Sequence, residues 1–373
     1  MKLSMRWKVA LALASLTCGG CGPATKTIHP DSESQAAVES GQASAIPEAA
    51  VELEAAGVEV GRDATSGRVT SVDFGSVPIT DELSLQLAKL TACQKLTIRE
   101  SSMSDTGWQE LANLTQVQHL DLRNCSLNDS QLQAIVSGMP DLLALRLSGQ
   151  NGATVVEDTG LTCLTTCPKL KVLAADELWI SADGLEHLAH CEQLSELYLK
   201  GTLVDDAAME ILANKKRLSK LRLAKTGVTA VGLEKLSSLP LTDLDVSECT
   251  HVVDEAMVPI GKLVTLERLN LWRDVVTDDG VQHLAELKNL QWLNLDNTHL
   301  SDAGLKHLKG FDRLTFLHLG STSVTDAGMP DLVGLTSLKD LKVTRTGVTD
   351  AGVRVVQTAI PGVDVQLKYI EGQ

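Results

Sequence analysis

Three side chains near the middle of the chain have the spacing that a metal site on one helix would need. His187, His190 and Cys191 follow one another at helical intervals, and imidazole and thiolate are preferred zinc ligands. However, His187, His283 and His307 occupy the same helix position in different copies of a repeated segment. This recurrence favours structural residues on an outer face, and we predict neither a metal site nor a cofactor.

Pairs of a hydroxyl residue and an aspartate recur through the chain and could be taken for acid–base dyads. Thr325 with Asp326, and Thr349 with Asp350, each stand just before residues with helical spacing. There the hydroxyl caps the helix and the carboxylate meets the positive end of the helix dipole. No nucleophile elbow, glycine-rich phosphate loop or cysteine quartet with zinc spacing is present. The sequence therefore predicts that the protein is not an enzyme.

A repeated block positions these residues. The form LxxLxLxxTxVTDxGLxxLxxL recurs about every 24 residues through most of the chain. Leu293 and Leu295 alternate with polar residues as in a short strand, and about ten residues later Leu305 and Leu308 have helical spacing. The first apolar position of each block falls at Val69, Cys93, Val117, Leu142, Leu170, Leu194, Leu218, Leu241, Leu266, Leu290, Leu314 and Leu338.

One block cannot fold alone. Burying its aliphatic side chains contributes roughly 10 to 20 kcal/mol, whereas ordering its backbone costs roughly 24 to 48 kcal/mol. The blocks must therefore stack, with parallel strands about 4.8 Å apart on one side and helices on the other. The predicted fold class is α/β, a solenoid of about twelve repeats.

This pattern resembles the leucine-rich repeat, from about residue 67 to residue 367. The turn position that holds asparagine in many members holds thiol or hydroxyl residues here, which resembles the cysteine-containing subclass and bacterial leucine-rich-repeat lipoproteins. These turn residues are Cys125, Thr202, Thr226, Cys249, Thr298, Thr322 and Thr346. The resemblance implies a right-handed horseshoe with parallel strands on the concave face, short helices on the convex face, and protein recognition on the concave face. It implies no particular substrate.

The first 21 residues have the order of an export signal: a basic start, the apolar run Val9–Leu16, and small residues before Cys21. The apolar run is too short to span a membrane as a helix. This order resembles a bacterial lipoprotein signal, in which the cysteine after the cleavage site receives the lipid. Cys21, preceded by Gly20, fits better than Cys18. We predict a lipid anchor at Cys21 in the cell envelope, with periplasmic or secreted protein and a retained cytosolic N-terminus as alternatives.

The predicted domain organisation follows from composition. Residues 1–21 are the signal, and residues 22–46, which are poor in large apolar side chains, form a flexible tether. Residues 47–68 form an N-terminal cap, residues 69–362 the repeats, and residues 363–373 a C-terminal cap, because an open repeat end exposes apolar surface.

Charge restricts the partner. The formal net charge is −15, so the surface repels polyanions and we predict no binding to nucleic acid. A protein partner is favoured, with carbohydrate as a second candidate, and the sequence leaves the oligomeric state open. Two other functions compete with a concave-face binding module: a structural envelope-assembly protein with distributed weak contacts, and an intracellular adaptor or effector.

Aromatic residues are rare but concentrate on neighbouring strands of the ninth to eleventh repeats. The chain has three Phe, two Tyr and five Trp. Side chains alternate along a strand, so residues that flank the core leucines face solvent, and exposed Trp and Arg are typical of interface hot spots. The alternative is that the aromatics pack on one another and shield the sheet. The predicted partner-binding residues are Arg268, Asn270, Trp272, Arg273, Trp292, Asn294, Phe316 and His318.

Two further features belong to the middle repeats. The segment Ser148–Glu157 makes one repeat about four residues longer than the others, and such insertions become surface loops that often bind ligands. Cys167 and Cys191 lie at equivalent places in adjacent repeats, within reach of a disulfide. The favoured alternative is that both are small core residues.

Overall fold

The computed structural model describes residues 47–368, which belong to one compact unit, Ala43–Gln373. The predicted signal, the tether, both candidate lipid-attachment cysteines and residues 369–373 lie outside the described residues. Within residues 47–368, no helix has the length and apolar character needed to cross a membrane.

Strands of the described residues form one 14-stranded sheet whose order follows the chain, and one two-stranded sheet. The first two strands are antiparallel, and every later pair is parallel. The strands are β1 Glu59–Arg62, β2 Val69–Asp73, β3 Lys95–Thr97, β4 His119–Asp121, β5 Leu127–Asn128, β6 Ala144–Ser148, β7 Thr154–Val155, β8 Val172–Asp176, β9 Glu196–Tyr198, β10 Lys220–Arg222, β11 Asp243–Asp245, β12 Arg268–Asn270, β13 Trp292–Asn294, β14 Phe316–His318, β15 Asp340–Lys342 and β16 Asp364–Gln366.

Short helices return the chain from one strand to the next. The α-helices are α1 Glu48–Ala55, α2 Asp81–Leu87, α3 Asp105–Glu110, α4 Asp129–Val136, α5 Ala182–Glu186, α6 Asp206–Leu212, α7 Ala230–Lys235, α8 Asp254–Gly261, α9 Asp278–Val281, α10 Asp302–Leu305 and α11 Asp350–Ala359. Turns of 3-10 helix cover Leu111–Asn113, Asp158–Thr166, Gln282–Leu284, Lys306–Leu308 and Met329–Leu332. Because these helices have few turns, their stability must come from packing rather than from propensity.

The core is a stack of equivalent leucines. Leu244, Leu269 and Leu293 are aligned in register on consecutive strands and are fully buried. Full burial of each such side chain contributes about 1.5 to 3 kcal/mol. At the N-terminal end, α1 and the β1–β2 hairpin cover this stack, with Leu53 and Phe74 buried beneath them.

Polar turn residues satisfy backbone groups between strand and helix. The hydroxyls of Thr202, Thr226, Thr298, Thr322 and Thr346 each donate to the carbonyl three residues earlier, at 2.6 to 2.8 Å. The thiols of Cys125 and Cys249 donate instead to Ile98 and Leu223 of the preceding repeat, at 3.4 and 3.1 Å. Asp274 occupies the same position in the ninth repeat and accepts a hydrogen bond from the Cys249 amide at 3.0 Å.

The aspartates at the helix starts connect adjacent repeats. Asp254 accepts from the amide of Thr277 at 2.7 Å and from its hydroxyl at 2.6 Å, while that hydroxyl accepts from the Asp279 amide of its own helix. We call this arrangement the carboxylate clamp. It recurs for Asp158 with Ser181, Asp206 with Thr229, Asp278 with Ser301, Asp302 with Thr325, and Asp326 with Thr349.

A glycine three residues after the capping hydroxyl makes room for the clamp. A Cβ atom added at Gly280 would collide with the Asp254 carboxylate of the preceding repeat. The same collision would occur at Gly184, Gly232, Gly304, Gly328 and Gly352. The recurrent Thr-Asp-x-Gly sequence therefore encodes a contact between repeats in addition to the helix cap that the sequence predicted.

Candidate functional site on the concave sheet

Trp292 and Phe316 form the centre of the predicted partner-binding surface. They are aligned in register on β13 and β14, their ring centroids lie 5.0 Å apart, and their planes differ by 5°. The guanidinium of Arg268, on β12, lies 4.4 Å from the centroid of Trp292, and the ammonium of Lys342, on β15, lies 5.6 Å from that of Phe316. We call these four residues the aromatic ladder.

Three residues of the ladder, Trp292, Phe316 and Lys342, are half-buried, and Arg268 is exposed. Phe316 and Arg268 flank the Trp292 ring from the two neighbouring strands, and Trp292 and Lys342 do the same for Phe316. Ring faces are therefore occupied, and the ring edges, which carry partial positive charge, are the parts left for a partner. Stacking of the aromatics on one another, one of the two alternatives from the sequence, is thus observed, and the ladder keeps an accessible edge.

Trp272 and Arg273 form a second aromatic contact on the turn after β12. The Arg273 guanidinium lies 5.4 Å from the Trp272 ring centroid and 3.3 Å from Glu248. Trp272 is half-buried, Arg273 is exposed, and Arg273 has a positive φ of 62°. The two side chains therefore stay on the concave rim, held by their own ion pair and cation–π contact.

The remaining predicted residues have local structural roles. The side-chain oxygens of Asn270 and Asn294 accept from the amides two residues later, at 3.2 and 2.9 Å, which holds the turn after each strand. His318 contacts Phe316 edge-on at 6.3 Å, and its Nε2 lies 4.0 Å from Asp296. Burial lowers the pKa of His318 below its usual value. These three are weaker candidates for direct partner contact than the ladder.

A basic surface on the N-terminal part of the sheet was not predicted from the sequence. An open pocket of about 490 Å³ is lined by Lys95, Arg99, His119, Arg123 and Arg146, with carboxylates from Asp73 and Asp121. The signal was present in the sequence as cations at strand-flanking positions of the second to fourth repeats. The sequence prediction was based on the rare aromatic residues, which lie at the other end of the sheet.

The insertion Ser148–Glu157 is packed onto the preceding repeat. Thr154 is buried and its hydroxyl lies 2.8 Å from the carbonyls of both Cys125 and Ser148, while β7 pairs with β5. Beyond it, Val155, Trp179 and Leu203 occupy equivalent positions of three consecutive repeats and are more than half exposed. This apolar strip is the second surface with interface character.

The candidate metal-binding and disulfide residues do not come together as such sites require. His190 is exposed and Cys191 is buried, and among the described residues no three His, Cys, Asp or Glu side chains are grouped as metal ligands could be. Cys167 and Cys191 are free, buried thiols, so the candidate disulfide is not formed in the structure. Each thiol instead lies 3.8 Å from a carbonyl of an earlier turn, Cys167 from Met139 and Cys191 from Leu164.

Solved structures with a similar fold belong to proteins of low sequence identity. An internalin from Listeria monocytogenes str. 4b F2365 aligns with 87% of this chain and 95% of its own length, at 18% identity and a TM-score of 0.60. A chain from the yeast Rad7–Elc1 complex aligns with 79% of this chain and 82% of its own length, at 20% identity and a TM-score of 0.54. No protein-family profile and no curated protein sequence matches the chain.

These similarities establish the fold. The chain is a right-handed leucine-rich-repeat solenoid with parallel strands on the concave face and short helices on the convex face, as the sequence predicted. The resemblance to the cysteine-containing subclass and to lipoproteins stays a prediction, as does the division into signal, tether, caps and repeats.

Proposed function

We propose that this protein is a non-catalytic scaffold that binds a protein partner on its concave face, with the aromatic ladder as the main contact. The observation that carries the proposal is the ladder itself: two of the few aromatic side chains stack on adjacent strands of the sheet, between two cations, and stay partly exposed. Aromatic and arginine side chains held in this way lose little freedom on binding and bury a large area.

The ladder favours a protein over a carbohydrate. A sugar ring binds aromatic residues by stacking on an open ring face, whereas the faces of Trp292 and Phe316 are flanked by other side chains. The positive ring edges instead suit carbonyl oxygens, carboxylates and apolar side chains of a polypeptide. The fold leaves the function open by itself, since one fold can carry many functions.

A site-specific cross-linker tests the location of the site. A photoreactive residue in place of Asp340, which is in register with Phe316, should capture a partner in native cells, and the same residue at Lys306 on a convex-side helix should not. Capture at Asp340 should fall sharply in Trp292→Ala, because truncating a hot-spot residue costs about 2 kcal/mol or more. Equal capture from both positions would favour the distributed contacts of an envelope-assembly protein.

Trp292→Ala also requires a stability control. The ring contacts of Trp292 add about 0.5 to 1.5 kcal/mol to folding, so a modest fall in the thermal transition is expected. Tyr198→Ala is the matched control, because it removes another half-buried concave aromatic that contacts Arg222 at 5.4 Å and lies outside the ladder. Undiminished capture by Trp292→Ala would show that the site lies elsewhere. The apolar strip of Val155, Trp179 and Leu203 would then be the next candidate.

We also propose that the scaffold is tethered to the cell envelope through a lipid on Cys21. Support comes from the sequence, in which a basic start and an apolar run precede Gly20 and Cys21. Cys21→Ala should move the protein from the membrane fraction to the soluble fraction, whereas Cys18→Ala should leave it in the membrane fraction. Unchanged partitioning of Cys21→Ala would favour secretion without an anchor, or an intracellular adaptor if the protein stays in the cytosol.

A further inference from the structure

The second to fifth repeats concentrate positive charge on the concave face of a chain whose net charge is −15. Lys95 lies on β3, Arg99 and Arg123 follow β3 and β4, Arg146 lies on β6, and Lys171 directly precedes β8. The rest of the surface is acidic overall, so this concentration of cations is a local feature of the concave face. We refer to these five residues as the basic patch.

Part of the patch is already neutralised, which shows the kind of anion that it accommodates. Arg99 and Arg123 both donate to one buried carboxylate, that of Asp121, with shortest distances of 2.9 and 2.7 Å. Burial alone would raise the pKa of Asp121, but the hydrogen bonds from the two guanidiniums outweigh it and lower the pKa. The guanidiniums of this patch therefore already recognise a carboxylate by paired donors.

The other cations of the patch have no ion-pair partner. Among the described residues, no carboxylate oxygen lies within 4 Å of the side-chain nitrogens of Lys95, Arg146 or Lys171. All three nevertheless lie close enough to His119 to lower its pKa, in addition to the larger effect of burial. Asp73 and Asp121 line the same pocket, and Arg146 interacts with Glu196 from beyond ion-pair distance, so the charge of these three cations is only partly compensated.

Three cations on the middle strands of the same sheet are paired, in contrast to Lys95, Arg146 and Lys171. Lys220 lies 3.0 Å from Glu196, Arg222 lies 3.4 Å from Asp245, and Arg268 lies 3.3 Å from Asp243. In each pair, the two residues are in register on neighbouring strands and lie on the concave face. The half-buried Arg146 is in register with Ala174 on one side and with Asp121 on the other, and the Asp121 carboxylate is held by Arg99 and Arg123.

We propose that the basic patch binds an extended acidic segment of the protein partner. This inference rests on the proposed function and names a second contact for the same partner. Strands β3, β4, β6 and β8 are consecutive in the sheet, so Lys95 and Arg146 lie about 10 Å apart along the sheet and Lys171 lies about 5 Å farther. Alternate residues of an extended peptide are about 6.8 Å apart, so acidic side chains four residues apart are separated by about twice that distance. This is close to the separation of Lys95 from Lys171 along the sheet. A single phosphate group would need donors that converge on one point, which these three cations do not provide.

The probe for the patch is a fluorescein-labelled peptide of ten glutamates, with binding followed by fluorescence anisotropy at about 0.05 M salt, where screening is weak. Lys95→Gln/Arg146→Gln should weaken binding at least about tenfold, since it removes two charge contacts. The control Arg217→Gln/Lys306→Gln removes the same charge from exposed positions outside the patch and should change binding less than about twofold. No binding by the wild-type protein, or equal losses in both variants, would overturn the proposal.

Two further measurements identify the ligand class and separate the two proposals. Unlabelled decaglutamate should displace the peptide better than dextran sulfate or pyrophosphate at the same concentration of charge. Equal displacement would show a general anion site and would contradict the assignment to an acidic peptide. Peptide binding should raise the pKa of His119, measured by NMR, because carboxylates then face its surrounding cations. Trp292→Ala should bind the peptide normally, so that loss of partner capture in that variant tests the ladder and leaves the basic patch unaffected.

Discussion

From the fourth repeat onward, two kinds of junction join neighbouring repeats of this solenoid. From the eighth repeat to the twelfth, four consecutive junctions carry the carboxylate clamp, from Asp254 with Thr277 to Asp326 with Thr349. In the middle of the chain, Ala182 and Ala230 replace the aspartate at the junctions after the fifth and seventh repeats. The leucine stack continues through both kinds of junction, so the difference is confined to the polar contacts at the helix starts.

The residues around an absent aspartate change with it. After Ala182, the hydroxyl position holds Asp205 and the glycine position holds Ala208; after Ala230, these positions hold Val253 and Ala256. Without a carboxylate there is no acceptor for a hydroxyl and no need for space at the glycine. At these two junctions the three members of the clamp are absent together, whereas Asp105 and Asp129 nearer the N-terminus are followed by Asn128 and Glu157 at the hydroxyl position. We predict that the three residues act as a unit from the fourth repeat onward.

The largest expected effect is the coupling between Asp254 and Gly280. Gly280→Ala alone should destabilise the fold by about 2 kcal/mol, because the new Cβ displaces the carboxylate in a packed site. In the Asp254→Ala background, the same change should stabilise by up to about 1 kcal/mol, since alanine favours the helix and only the Val276 Cγ1, 3.0 Å from the new Cβ, must shift slightly. The coupling energy, near 3 kcal/mol, is measured by chemical denaturation of the four proteins.

Gly334→Ala is the matched control for that cycle, because a Cβ atom there meets no atom within 4 Å. It should be neutral or slightly stabilising. If Gly280→Ala cost the same with and without Asp254, the glycine would be needed for its backbone and the clamp would not be a unit.

The second prediction contrasts two carboxylates that link repeats. Hydrogen bonds from the hydroxyl and amide of Thr349 lower the pKa of the exposed Asp326, whereas burial raises the pKa of Asp274 to about 9, with Asp245 and Glu248 adding to the rise. One oxygen of Asp274 has no hydrogen-bond partner. At neutral pH, the buried carboxyl group of Asp274 therefore lowers the free energy of unfolding, while the exposed clamp carboxylate of Asp326 raises it.

Asp274→Thr should consequently stabilise the protein at pH 7 by about 2 kcal/mol. The folded-state pKa of Asp274 lies above the unfolded value of about 3.9, so its penalty is absent below about pH 4 and grows as the pH rises towards 9. Threonine restores the hydroxyl found at Thr298 and Thr322. Thermal denaturation at pH 4.5 and pH 7 measures the effect, and an equal gain at both values would show that the Asp274 charge is not its cause.

A smaller effect is expected when a clamp is built where none exists. Ala230→Asp with Val253→Thr and Ala256→Gly should stabilise the seventh junction by about 1 kcal/mol, because a charge-assisted pair of hydrogen bonds outweighs the added glycine. Ala230→Asp alone should give no gain, since Val253 supplies no hydroxyl and the Ala256 methyl group occupies the space. Denaturation of the triple and single variants provides the comparison, and a gain from the single change would contradict a three-residue unit.

The fold was predictable because its main signal is repeated about twelve times along the chain. Leucines at strand and helix spacing, and hydroxyls such as Thr277 before most helices, predicted the solenoid of strands and helices. The second role of the aspartates was not predictable from one repeat, because their partners lie 23 residues ahead, in the next repeat. Comparing the positions of Ala182, Asp205 and Ala208 with those of other repeats could have revealed it.

The candidate site was predictable only in part. Alternation along the strands identified Trp292 and Phe316 as concave residues, but their parallel stacking and the place of Lys342 depend on side-chain conformations. The basic patch escaped prediction because its cations become neighbours through stacking of separate repeats. Whether Lys95 or Arg146 has a carboxylate within ion-pair distance likewise depends on the three-dimensional structure.

The smallest effect is predicted for Cys167 and Cys191, which lie at equivalent places of the fourth and fifth repeats, where the clamp of Asp158 with Ser181 already joins the two repeats. Burial raises the pKa of Cys191 to about 11 and also raises that of Cys167, so both thiols stay protonated and react slowly at neutral pH. Equivalent cysteines in stacked repeats also point the same way, and the Cys191 thiol lies 3.5 Å from the Cys167 carbonyl. Mass spectrometry without reductant should find the two peptides unlinked, and reductant should leave the thermal transition unchanged. A linked pair would mean that a clamped junction is also joined covalently, while the fifth and seventh junctions would keep neither reinforcement.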